Sequence, residues 1–470
     1  MRFLLLFLFL TLELPAQEMR FQKGLVTDNI AVNDSVGESY AMYLPLDFNG
    51  RDPLPVIFIF DPEGRGRNAA QLFKPTAEEQ GYILVSSNNI SSEKQLKDNI
   101  LTAARLINTV VSRLPVDYRQ MSVAGLDHGA EVVTSLPMIF NNLFGVIPIG
   151  DQRLNLTELN EDNRFSFIGI VGDQQISRYA MMAAADQLSS LDFPTAVYSY
   201  EGGSGWPNPQ IVSAAVGSLT LQAMRQGLRP TNRELIEKLY QNDISAVNQM
   251  ISNNRYVEAN RRLEILERKY DDLYDTREIE QKQRHLQNSR NFEEQQDRYA
   301  KAKQEEMYLI EDYIYFINQD AATANFANLG WWNAQKIELV DKTKSPNEAQ
   351  QDMAYRLLSM LDQYSEEKME ELFQAGASLE QKLFASMLQT IFDQKNFEAY
   401  KNIISLSAID GDFDSALFYL EEMLKNGFMD VEELYELEGT LGLKLTEEFN
   451  WLIEKYTGKS KYYDVENKLQ

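Results

Sequence analysis

Met121-Ser122-Val123-Ala124-Gly125-Leu126-Asp127-His128-Gly129-Ala130 decides how the first half of the chain is read. A short apolar run ends in a turn bracketed by two glycines and passes directly into a helical pattern, so the turn must be sharp and the helix must lie close beneath the strand. Reading outward on both sides, further β-branched or apolar runs alternate with longer amphipathic stretches. The strands expected are Tyr40 to Leu44, Val56 to Phe60, Ile83 to Val85, Met121 to Ala124, Val146 to Ile149, Phe165 to Val171 and Thr195 to Tyr200. Helices are expected near Gln71 to Gln80, Glu93 to Leu114, Ala130 to Phe140, Ser177 to Leu191 and Gln210 to Met224. Several of the runs are continuously apolar rather than alternating, as strands buried on both faces are. The pattern predicts a doubly wound α/β domain, a mostly parallel sheet covered by helices.

Strand signals stop after Arg229-Pro230-Thr231-Asn232, and the remainder is rich in Glu, Lys, Gln, Leu and Ala, as helices prefer. The division expected is a leader over 1–16, an α/β domain over 17–228 and an all-α domain over 229–470. Asn254-Arg255-Tyr256-Val257-Glu258-Ala259 and Gly411-Asp412-Phe413-Asp414-Ser415-Ala416 share a pattern, an aromatic followed three residues later by alanine. A small residue before the aromatic suits the turn of a helical hairpin, and the alanine allows close helix packing. From Tyr400 onward, Ile403, Ile404 and Leu406 line one helix and Phe413, Leu417, Leu420 and Leu424 the next, with Gly427 ending it. This unit and the trailing Glu448-Phe449-Asn450-Trp451-Leu452-Ile453 resemble a tetratricopeptide repeat and its C-terminal cap. Between Glu258 and Glu306 charge is dense, and the apolar residues thin out to Leu263, Leu266, Ile279, Leu286 and Phe292, which predicts a long solvated helical hairpin.

Gly125-Leu126-Asp127-His128-Gly129 has the place and shape of a nucleophile elbow, G-x-S-x-G, with aspartate where the serine would stand. Together with Val56 to Pro62, Gly172-Asp173 and Gly202-Gly203-Ser204-Gly205-Trp206-Pro207, it resembles secreted bacterial α/β-hydrolases of the depolymerase and dienelactone-hydrolase esterase type, over about Ser39 to Met224. The resemblance implies a Ser-Asp-His triad whose serine falls on Asp127, whose acid falls on Asp173 and whose histidine falls on Ser204. Only the acid is retained. It also implies an oxyanion loop, here Asp61-Pro62-Glu63-Gly64-Arg65-Gly66, with the His128 backbone N–H as the other donor; for Asp61 a tight strand-to-helix turn is explanation enough. Acyl transfer by a hydroxyl needs an adjacent base, and Ser204 cannot act as one. The chain has only two histidines, His128 and His285, and His285 lies in the charged helical stretch. Asp127 could itself be a nucleophile, as in haloalkane dehalogenases and epoxide hydrolases, which the elbow then resembles; those enzymes still need a histidine to activate water.

Composition narrows the classes further. With 44% hydrophobic and 24% charged residues the chain is an ordinary globular one. The net charge of -25 repels phosphates and anionic lipid, so nucleic acid is not expected as a partner. The absence of cysteine excludes a thiol nucleophile, a thiolate metal site and a lipid-modified N-terminal cysteine. Met1-Arg2, the apolar run Phe3 to Leu12 and Leu14-Pro15-Ala16 read as a secretory signal peptide cleaved after Ala16, too short to span a bilayer, which makes the mature chain periplasmic or secreted. Asp410, Asp412, Asp414 and Glu421 match a calcium loop in part, but Ser415 stands where the turn wants glycine. Neither a metal nor another cofactor is expected. Trp331-Trp332 suits interhelix packing better than a ligand platform. The functional expectation is a pseudo-hydrolase that binds protein or extended peptide through its helical repeats. The alternatives are an active hydrolase using Asp127 and a small-ligand sensor using the decayed pocket.

Overall fold

The computed structural model describes residues 22–33, 37–155, 159 and 164–462; the expected leader lies outside them. The first half forms an eight-stranded sheet from β1 (Val26–Ala31), β2 (Ser39–Tyr43), β3 (Leu54–Phe60), β4 (Ile83–Ser87), β5 (Val116–Leu126), β6 (Leu143–Ile149), β7 (Ser166–Gly172) and β8 (Thr195–Tyr200). The strand order is β1-β2-β4-β3-β5-β6-β7-β8. β1 and β2 pair antiparallel, as do β2 and β4, whereas β4, β3, β5, β6 and β7 run parallel. The helices α1 (Gly66–Gln80), α2 (Leu96–Arg113), α3 (His128–Ser135), α4 (Arg178–Ser190) and α5 (Pro209–Arg225) alternate with the strands. β3, β4, β6 and β7 are buried almost throughout, which is why their sequences read as continuous apolar runs.

The doubly wound, α/β-hydrolase-like sheet and the all-helical remainder therefore stand as expected, with local differences. β1 carries polar residues on a half-exposed edge and gave no apolar run to read. α1 begins at Gly66, five residues before its apolar pattern does. α3 ends at Ser135 because Pro137 follows, and a short 3-10 turn over Leu136–Met138 takes the rest.

From Arg233 the chain is helical: α6 (Arg233–Ser252), α7 (Tyr256–Tyr270), α8 (Arg277–Gln287), α9 (Arg290–Thr323), α10 (Leu329–Lys342), α11 (Glu348–Gln374), α12 (Leu379–Phe392), α13 (Phe397–Asp410), α14 (Phe413–Lys425), α15 (Val431–Glu436), α16 (Leu441–Lys444) and α17 (Glu447–Thr457). The charged stretch expected as one solvated hairpin is instead α7, α8 and the start of α9. The apolar residues Leu263, Leu266, Ile279, Leu286 and Phe292 are all buried, as is Ile265 between the first two, so scattered anchors suffice to fold three helices together. The two similar turns behave alike: Asn254 and Gly411 both take a positive φ, Tyr256 and Phe413 open the next helices, and Ala259 and Ala416 are fully buried. Asp412 caps α14 by accepting from the Ser415 N–H at 3.0 Å, and Glu421 ties α14 to Lys455 of α17 at 2.9 Å, so these two residues of the calcium-loop pattern serve helix capping and packing.

Two compact units result. The first takes the chain up to Ile170 with Ala183–Tyr198 and Trp206–Leu239; the second takes Val171–Met182, Ser199–Gly205 and the chain from Tyr240 onward. No helix among the described residues is long and apolar enough to cross a membrane.

Candidate functional site: a modified elbow and a captured acid

The chain passes from β3 to β4 on one side and then to β5 on the other, so the sheet's winding reverses between β3 and β5. In open α/β sheets, ligands gather at the carboxyl ends of strands beside such a reversal. Asp61 follows β3 and Asp127 follows β5, which puts both at that position.

Asp127 has φ 46° and ψ -111°, a strained conformation for a residue with a side chain. The elbow closes tightly around it. A Cβ on Gly125 would overlap the Gly129 carbonyl, and one on Gly129 would overlap the Phe60 carbonyl, so neither position tolerates a side chain. The Asp127 N–H donates to the Ile149 carbonyl at 2.8 Å, and its own carbonyl accepts from Ala130 at 2.8 Å, starting α3. His128 opens that helix with its ring exposed; its N–H, at the first helical position, has no carbonyl one turn back within the helix to bond.

The electrostatics around the elbow are negative. Burial above all, then the Asp151 carboxylate and, more weakly, Asp61, push the Asp127 carboxyl up to about 6, with His128 pulling the other way. An oxyanion hole needs the opposite field, donors and positive charge aimed at a developing anion. Asp61 is fully buried and committed to its own turn: its carboxylate accepts from the Glu63 N–H at 2.9 Å, from Arg65 Nε at 3.3 Å and from Trp206 Nε1 at 2.7 Å. It fixes the loop after β3, with both oxygens engaged by that loop and by Trp206.

Asp173, where the resemblance would place a triad acid, belongs to the second unit and is almost fully buried there. Arg178 donates to its Oδ1 and Arg255 to its Oδ2, while Arg356 donates to its backbone carbonyl. Arg178 continues to Glu258 at 2.6 Å, Glu258 also holds Arg261 at 2.8 Å, and Arg356 grips Glu306 at 2.7 and 2.8 Å. Burial and the neighbouring Glu258 carboxylate raise the Asp173 pKa against the pull of Arg178 and Arg255. For Glu258, burial also acts upward but Arg178, Arg261 and Arg255 together outweigh it and hold the carboxyl well below its usual range. A triad acid must accept from a histidine, and both oxygens of Asp173 are already occupied by guanidinium groups. Ser204 lies between Gly203 and Gly205 in the glycine-rich segment after β8, in which Gly202 and Gly205 take positive φ.

The arginines around Asp173 escaped sequence reading. Arg255 and Arg356 lie 82 and 183 residues away along the chain, and no local spacing links them to it. Among the described residues no group of three or more His, Asp or Glu side chains is arranged to hold a metal ion.

No protein-family model matches the chain, and no curated protein sequence matches it. Among solved structures the chain is similar to a thermostable esterase at 13% identity and TM-score 0.33, covering 46% of this chain and 62% of that one. It is similar to an esterase of Pyrobaculum calidifontis at 15% identity and TM-score 0.35, over 43% of this chain and 86% of the other. An esterase from Mycobacterium marinum gives 15% and 0.34, over 42% and 81%. Likeness of this degree bears on neither activity nor substrate.

Proposed function

We propose that this chain is a non-catalytic relative of the α/β-hydrolases, exported from the cytoplasm, whose helical half binds a protein or extended peptide. The observation that carries the reading is the capture of Asp173 by Arg178 and Arg255, which removes the one triad group the sequence retains. The negative surroundings of Asp127 support it, since they disfavour the oxyanion that acyl transfer must form. The buried hairpin of α13 and α14 supports a tetratricopeptide-like stacking, and stacked helix pairs create extended binding grooves.

The test pairs a crosslinking pull-down of the tagged protein from its native envelope with a panel of short acyl esters on the purified chain. A stoichiometric partner without turnover supports the proposal. Turnover that is lost on Asp127→Ala overturns it.

One observation favours a second reading. Asp127 sits on the strained elbow where a nucleophile would be presented. With no histidine to activate water, an ester formed on Asp127 would persist and be visible as a mass increment on the peptide containing it. Absence of any adduct after exposure to haloalkane, epoxide and ester electrophiles removes that reading.

A further inference from the structure

The second unit leaves aromatic surface uncovered in one region. Tyr308 and Tyr315 on α9 are 62% and 56% exposed, and Trp331 on α10 is 37% exposed. The two tyrosines are seven residues apart, two helical turns or about 10 Å along one face, and Glu311 and Asp312 lie between them on that face. The ring of Tyr315 meets that of Phe316 at 5.5 Å, Phe316 meets Trp331 at 5.7 Å, and Trp331 meets the fully buried Trp332 at 4.7 Å. The aromatic series thus begins in the core and emerges at the surface. Its base is fixed: Asp320 accepts from Trp332 Nε1 at 2.9 Å and from Asn325 and Asn328 at 2.8 and 2.6 Å. Farther along α9, Glu311, Ile314, Tyr315, Asn318, Gln319 and Ala322 line a shallow depression.

Contiguous exposed apolar surface on a folded chain marks a contact site, and Tyr and Trp are the side chains that most often dominate such contacts. Charge decides what kind of contact. Glu311 and Asp312 have no cationic partner among the described residues, whereas Glu305 and Glu338 are both taken by Lys342. Unpaired carboxylates set between exposed rings repel anionic lipid and nucleic acid and attract ammonium and guanidinium groups, which the ring faces also bind.

We propose that the face of α9 carrying Tyr308, Glu311, Asp312 and Tyr315, with Phe316 and Trp331 beside it, docks a Lys- and Arg-rich segment of a partner protein. This rests on the binding role assigned to the helical half and names the partner's chemistry. Basic side chains lie between the two tyrosines over the carboxylates, and apolar side chains of the segment cover Phe316 and Trp331.

The experiment measures binding of a fluorescent Lys- and Arg-rich peptide with interspersed leucines to the full mature chain, against a peptide with glutamate at every basic position. The basic peptide binds and the acidic one does not. Tyr315→Ala, and separately the pair Glu311→Gln with Asp312→Asn, each weaken binding at least about tenfold. The pair Asp47→Asn with Glu93→Gln removes the same charge from exposed positions of the first unit and leaves binding unchanged. All the substituted side chains are exposed, so melting temperatures stay at the parent value. Equal weakening by the control pair would reduce the effect to bulk charge and overturn the proposal, as would undiminished binding to the Glu311 and Asp312 variant or a basic peptide that does not bind. An envelope partner that Tyr315→Ala still captures overturns this surface while the broader binding role stands; turnover on the ester panel overturns the broader role by itself.

Discussion

Asp127 combines a strained, positive-φ backbone with a carboxyl whose pKa burial raises. Its folded value of about 6 lies above the ordinary 3.8, so the folded chain holds this proton more tightly than the unfolded chain does. The sign follows: ionising Asp127 costs the fold nothing below about 3.8, increasingly more as pH rises, and the full penalty above about 6. Asp127→Asn removes the penalty and should stabilise the protein at pH 8 by about 2 kcal/mol, allowing for its partial exposure, with the gain vanishing near pH 3.5. Melting curves of the two proteins across that range check it; a gain independent of pH would point to relief of backbone strain instead. Asp173 supports a second prediction. Placing serine at 127 and histidine at 204 in one chain should produce no ester turnover, because the new histidine finds no free acceptor on a carboxylate bound by Arg178 and Arg255. Burst release of a chromogenic leaving group from that double variant would show that the arginines let Asp173 go.

The elements divide by how local their determinants are. The parallel strands were legible because each is apolar on both faces, and the elbow because its glycines are required within five residues of chain. β1 was not, since an edge strand with polar side chains has no core to declare itself by. α7, α8 and the start of α9 look like a solvated hairpin in sequence because their burial rests on scattered apolar residues and on ion pairs formed with distant parts of the chain. The candidate site was legible where its determinants are local, Asp127 on the glycine-bracketed turn after β5, and illegible in the arginines that hold Asp173, which come from distant parts of the sequence. α7, α9 and α11 contribute Glu258, Glu306 and Arg356 to that buried charge cluster. Removing one member leaves the rest of the cluster with an uncompensated buried charge, so Glu258→Gln, which takes from Arg178 one of its two carboxylate partners and leaves it Asp173, should destabilise the second unit by about 3 kcal/mol in chemical denaturation. Glu258 titrates below its usual range, so the stability it contributes is present above about pH 4.5 and lost as pH falls toward about 2. The difference between parent and Glu258→Gln should therefore shrink through that acid window. A variant as stable as the parent at pH 7 would mean that the cluster is solvated and the ion pairs are loose.

Across the whole molecule, 70 acidic residues face 45 Lys and Arg, and the excess of -25 acts on every folded conformation at once. Many of the ion pairs outside the buried cluster join exposed partners, such as Arg277 with Asp275 and Arg290 with Glu294, and solvated pairs of that kind contribute little to stability. Repulsion among the unpaired carboxylates is then the larger long-range electrostatic quantity, and it is the one that salt screens, over about 10 Å at 0.1 M. The buried cluster around Asp173 is screened much less. Raising ionic strength at pH 8 should accordingly raise the melting temperature by a few degrees, the shift that about 1 kcal/mol produces in domains of this size. The same addition near pH 5 should do less, because protonation has by then removed part of the excess charge. The surface on α9 should respond in the opposite direction, with basic peptide binding weakened by the salt that stabilises the fold, since there the carboxylates attract a ligand rather than repel one another. A melting temperature that falls with salt would instead assign the dominant electrostatic contribution to attractive surface pairs, and the excess charge would then be a property of solubility alone.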